Sequence, residues 1–86
     1  MFIHLGESTV INTKEIVAIL DLDNSTVSKI TRDYLAKSEK KKEVINVSQE
    51  LPRSAVICEK KGRRTVYISQ ISPRTLQKRF ISGKLL

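Results

Sequence analysis

Lys60, Lys61, Arg63 and Arg64 crowd around Gly62, between the apolar runs "SAVIC" and "TVYISQI". Cations set this close on a turn can meet a chain of phosphates, and arginine can grip a phosphate or a guanine edge with two parallel hydrogen bonds. Over residues 59–80, seven basic side chains stand against one acid, Glu59; the other three are Arg74, Lys78 and Arg79, in "SPRTLQKRF".

The rest of the chain does not share this excess. Residues 1–52 hold seven Lys/Arg and eight Asp/Glu, a balance of −1, whereas residues 53–86 hold nine and one, a balance of +8. Solubility does not require that asymmetry, and clustered cations repel one another in a compact state. A polyanion relieves the repulsion, and DNA, RNA and an anionic membrane surface are the candidates. Single-strand RNA readers stack bases on exposed aromatics. Here the aromatics are Phe2, Tyr34, Tyr67 and Phe80, and Tyr34 and Phe80 fall on apolar helix faces. Neither helix pairs a broad apolar face with a wide basic one, so a membrane partner is not expected. Double-stranded DNA is.

Competing readings of the same charges exist. A charged hairpin tip keeps a sheet edge from aggregating, and cations late in a helix are favoured by the macrodipole. The four lysines between Lys37 and Lys42 are diluted by Glu39 and Glu43 and read first as a solvated connection, with unspecific phosphate contact the alternative.

The usual catalytic chemistry is missing. His4 is the single histidine, among apolar neighbours, and reads as an ordinary strand residue. One His and one Cys cannot build the usual zinc site. Gly6, Gly62 and Gly83 are far apart, and no phosphate-cradling loop motif occurs. Cys58, inside an apolar strand, reads as a buried inert thiol and permits no intrachain disulfide. Asp21 and Asp23 suit a helix N-terminus. No enzyme, cofactor, metal or small-molecule substrate is expected.

The elements that must position the cations follow from pattern. Eighty-six residues suit one domain, 1–86, with a modest core that association with further copies would supplement. β-Branched runs predict strands near 2–5, 9–12 and 15–21; the continuous Ile16–Leu20 run suits a strand covered on both faces. A helix begins at Asn24 or Ser25, carries Val27, Ile30, Tyr34 and Leu35 in one stripe, and frays into "KSEKKK". Strands at 43–47, 53–59 and 65–71 follow, the last two forming an antiparallel hairpin with φ > 0 available at Gly62. Ser72 caps a second helix with Pro73 in its first position; Leu76 and Phe80 share one side, Arg74 and Lys78 the other, and Gly83 is its stop. The fold class is α+β, a small antiparallel-rich sheet with two helices. The N-terminus lacks signal-peptide features and no apolar run is long enough to span a membrane, so the expected location is cytoplasmic.

The opening "FIHLGESTVINTKEIVAILDLDN" and the closing "PRSAV…VYISQISPRTLQKRF" resemble the RemA/RemB family of extracellular matrix regulatory proteins over about residues 1 to 80, with "HLG", "TKEIVAI" and "SPRTLQKR" the most diagnostic parts. The resemblance implies a small DNA-binding regulator of biofilm matrix genes, similar in fold to LytTR-type DNA-binding domains and assembled into ring-shaped homo-oligomers with a positive outer rim. It also implies basic contact residues just before the strand at 53–59. There this chain reads "SQELPR", so that only Arg53 matches a basic position and the family's pair of arginines just upstream is absent; Glu15 stands where the family carries an arginine, with Lys14 beside it. The hairpin "KKGRR" is longer than in the family, which places the contact surface at its tip. The expected DNA-binding residues are Arg53, Lys60, Lys61, Arg63, Arg64, Arg74, Lys78 and Arg79. The alternative is a protein-interaction module whose basic region docks an acidic partner.

Overall fold

Side chains alternate across a strand, and that alternation builds the first layer. In the computed structural model, which describes residues 1–23 and 28–82, β1 (Phe2–Gly6) pairs antiparallel with β2 (Thr9–Asn12). Ile3, Leu5 and Ile11 point inward and are buried, while Phe2 and Val10 stay exposed on the outer side. The turn between the strands needs positive φ at Gly6 (119°) and Glu7 (50°). A Cβ on Gly6 would lie 2.6 Å from Gln70 Oε1, which is itself buried without a hydrogen-bond partner among the described residues. Gly6→Ala is expected to cost about 1–3 kcal/mol, from the strained φ and the displaced amide. Thermal denaturation checks this, and an unchanged midpoint would count against it.

The second sheet has the order β3 (Ile16–Asp21), β5 (Ser54–Lys60), β6 (Arg63–Ser69), β4 (Val44–Asn46). All its pairings are antiparallel except β4 with β6, which run parallel. Its two faces carry separate apolar clusters. Val56, Cys58, Ile16, Ile19 and Tyr67 join Ile3, Leu5, Ile11 and Leu76 under the β1–β2 ribbon and α2 (Pro73–Ser82). Ala55, Ile57, Val66, Ala18 and Leu20 pack against Tyr34 and Leu35 of α1 (Lys29–Lys40). The continuous run in β3 therefore serves both faces, as its composition indicates. Alternation sends Ala18 and Leu20 to one face and Ile19 to the other, and a bulge between Ile16 and Ala18 brings Ile16 to the face of Ile19 and leaves Val17 60% exposed.

Polar ties hold the ribbon, and the segment between β6 and α2, to the sheet. The Ser69 hydroxyl donates to the Leu5 carbonyl at 2.6 Å and accepts from the Ile71 amide at 3.0 Å; the Ser54 hydroxyl donates to the Ile71 carbonyl at 2.8 Å. Both serines are buried, so these bonds satisfy groups that water cannot reach.

The helices depart partly from expectation. The start expected at Asn24 or Ser25, with Val27, lies outside the described residues. The described helix is capped by Ser28, whose hydroxyl accepts from the Thr31 amide at 3.1 Å. Ile30 is 82% exposed, and Thr31, Tyr34, Leu35 and Ser38 form the inward stripe instead. Fraying at "KSEKKK" is also corrected: α1 continues to Lys40, because Ser38 is buried there. In α2 the Ser72 cap forms as expected, its hydroxyl accepting from the Thr75 amide at 3.2 Å. Leu76 is fully buried, but Phe80 remains 45% exposed. The stop at Gly83 lies outside the described residues. The architecture is α+β, with two helices and small, mostly antiparallel sheets.

Candidate nucleic-acid interface

The β5–β6 turn has two central residues, Lys61 at φ 51° and Gly62 at φ 77°, between the paired Lys60 and Arg63. Two successive positive φ values match the right-handed twist of the flanking strands. Strand alternation then divides the cations between faces. Lys60 and Arg63 share the face of Cys58, Thr65 and Tyr67, whereas Arg64 pairs with Glu59 on the α1 face. Lys60 Nζ lies 3.7 Å from Glu15 Oε2. Arg64 donates from Nη2 to Glu59 Oε2 at 3.0 Å and from Nη1 to the Tyr34 hydroxyl at 3.2 Å. The tip is thus cationic on both sides.

Two more cations reach this end of the sheet. The parallel register Val44↔Val66 sets the α1–β4 connection beside the start of β6, with the Val66 amide donating to the Glu43 carbonyl at 2.8 Å. Lys41 and Lys42 consequently line, with Glu43, Arg63, Arg64 and Thr65, a groove of about 390 Å³. The lysine run is plain in the sequence and reads there as a solvated connection. Its neighbours become visible only with the pairing of β4.

Other expected contact residues lie elsewhere. Arg53 precedes β5 at the end opposite the tip, and a seven-residue strand spans about 20 Å. Arg53 Nε donates to Asp23 Oδ1 at 3.0 Å. The seven-residue β6 likewise separates the tip from the start of α2. On α2, Arg74 and Lys78 are exposed, and Arg79 is half-buried with Nη1 donating to the His4 carbonyl at 2.9 Å. His4 itself bonds the Glu7 carbonyl through Nε2 at 2.7 Å, a turn contact. The structure therefore gathers Lys60, Lys61, Arg63 and Arg64, and sets Arg53 and the start of α2 apart from them.

The ion pairs leave these cations usable. The side chains of Arg53, Lys60 and Arg64 are 49, 68 and 42% exposed. Pairs this exposed are screened by solvent and contribute little to stability, so exchanging a carboxylate for a phosphate costs little. Glu59, and after it Tyr34, push the Arg64 pKa upward, and Asp23 does the same for Arg53. Burial pushes the Cys58 thiol up to about 11, with a smaller contribution from Glu15, so it stays protonated and unreactive at neutral pH. Among the described residues no group of three or more His, Cys, Asp or Glu could hold a metal ion, and no helix is long and apolar enough to cross a membrane.

Comparison with known proteins agrees with the motifs quoted above. A family model described as RemA-like, extracellular matrix regulatory protein A-like, matches residues 2–80. Extracellular matrix regulatory protein B of Bacillus subtilis (strain 168) is 34% identical over 79 residues, covering 92% of this chain and 89% of the relative.

Proposed function

The chain belongs to the RemA-like family of extracellular matrix regulatory proteins, and on that premise we propose that it regulates transcription of matrix genes by binding double-stranded DNA as a homo-oligomer. The observation that carries the proposal is the convergence of Lys41 and Lys42 with Lys60, Lys61, Arg63 and Arg64 at one end of the four-stranded sheet. Six cations from two chain segments form a footprint for a phosphate backbone, although Glu15, Glu43 and Glu59 stand among them. Arg74 and Lys78 on α2 supply a second set of exposed donors. Phosphate contacts position a protein on DNA, and sequence preference comes from arginines at base edges or from DNA shape.

Exposed apolar residues support self-association. Phe2 and Val10 lie on the outer side of the ribbon, Val17 on the bulge of β3, and Phe80 and Ile81 on α2. Copies arranged with their basic ends outward would multiply phosphate contacts along a bent duplex.

Each phosphate contact releases condensed counterions, so log affinity is expected to fall with log salt at about 0.9 per contact. Binding of a short duplex across a salt series measures this, and a slope indistinguishable from zero would remove the proposal. Gel shifts on duplexes of increasing length, with solution mass, test the assembly. Affinity growing with length at a mass of several subunits is the expected result, and a monomer with length-independent affinity counts against it. An acidic partner protein in place of DNA predicts no such growth.

A further inference from the structure

The face of the tip that carries Lys60 and Arg63 is not uniformly cationic. A cavity of about 470 Å³ opens there, within the range of small-ligand sites. Lys60, Lys61 and Arg63 line one part of it; Glu15, Thr65 and Tyr67 line the rest, over Cys58. Glu15 comes from the 3-10 turn Thr13–Glu15, its side chain is only 26% exposed, and it lies within ion-pair reach of Lys60.

A groove built only to track a DNA backbone gains nothing from a carboxylate among its cations, because phosphate and carboxylate repel. A ligand with an anionic end and a hydroxyl- or amine-bearing body uses both. Three cations match a phosphate monoester, with Arg63 able to engage two of its oxygens. Glu15 is an acceptor for the hydroxyls of a sugar or the amino group of a base. Thr65 and Tyr67 add hydroxyl groups, and the half-buried Tyr67 adds an aromatic surface. Burial raises the Tyr67 pKa, so its hydroxyl remains a donor. Inorganic phosphate would use the cations alone and leave most of this volume unfilled.

We propose that this cavity is a binding site for a nucleoside monophosphate, with Lys61 and Arg63 on the phosphate and Glu15 on the sugar or base. Because it takes up cations of the tip, occupancy and duplex contact exclude each other; only this consequence rests on the duplex reading.

The test is isothermal titration calorimetry of the full chain at low salt with AMP, adenosine and inorganic phosphate. AMP is expected to bind once per chain, with adenosine and inorganic phosphate each about 10-fold weaker or more, since each lacks one half of the recognition. Arg63→Ala is expected to weaken AMP about 10- to 100-fold, the loss of one or two charge-assisted hydrogen bonds. Lys29→Ala, which removes the same charge from the exposed face of α1, should leave AMP affinity unchanged. Lys61→Gly guards against a folding artefact, because glycine suits the φ of 51° there. Glu15→Gln should narrow the gap between AMP and inorganic phosphate. No AMP binding at millimolar concentration, equal affinity for AMP and phosphate, or equal losses in Arg63→Ala and Lys29→Ala would each overturn the site. Failure of bound AMP to displace a labelled duplex would overturn only the exclusion.

Discussion

Replacing Lys60, Lys61, Arg63 and Arg64 together by alanine is expected to lower duplex affinity at low salt by at least ~1000-fold, since a charge-assisted hydrogen bond contributes about 1.5–3 kcal/mol. The salt slope should become shallower as well, by about 1 for each phosphate that is no longer engaged. Stability should barely change. The four side chains are exposed, so their pairs with the partly buried Glu15 and Tyr34 and with Glu59 are open to solvent on the cationic side. Alanine at Lys61 inherits the left-handed backbone already present in the native chain, so it adds no new strain. Because Lys41 and Lys42 border Arg63 and Arg64, their double replacement should give an intermediate loss, which the solvated-connection reading does not predict. Gel shifts at several salt concentrations, beside thermal melts, separate these outcomes. Unchanged affinity in the fourfold variant, with the melt intact, would refute the tip as the contact surface.

What the sequence discloses here is local. Gly62 between two apolar runs specifies a hairpin, and Ser72-Pro73 specifies a helix start, because a turn or a cap is decided by a few adjacent residues. The double-sided character of β3 is legible for the same reason, in an uninterrupted apolar run. The register of the α1 stripe is only half legible. Periodicity gives the angle around a helix axis but not where along that axis the helix meets the sheet, and Ile30 is left 82% exposed. Long-range placement is hidden. A three-residue strand such as Val44–Asn46 carries no mark of parallel pairing with β6, yet that pairing brings Lys41 and Lys42 to the arginines. Conversely, the tip and α2 are joined in sequence by one strand, and that strand's length separates them.

Leu76→Ala is the stability counterpart of the charge variant, with an expected loss of about 2–5 kcal/mol. Leu76 is fully buried and belongs to the cluster containing Ile3, Leu5, Ile11 and Val56. It is the one fully buried side chain of α2 among the described residues, since Phe80 and Ile81 stay largely exposed. Truncation removes the anchor and leaves a cavity beneath the helix, where the neighbouring β-branched side chains are too stiff to fill it. In a domain of this size each kcal/mol moves the midpoint by about 4–8 °C, so a drop of at least ~8 °C should appear in a thermal melt. The effect on DNA binding should differ in kind from that of the tip variant. Arg74 and Lys78 depend on the seating of α2, whereas Lys60 to Arg64 rest on the β5–β6 ladder and do not. At a temperature where the variant remains folded, affinity should therefore fall modestly while the salt slope stays close to that of the native chain. A melt unchanged by Leu76→Ala would show that α2 is held by something other than this side chain. A slope that collapses in the folded variant would place the principal phosphate contacts on α2 rather than on the hairpin.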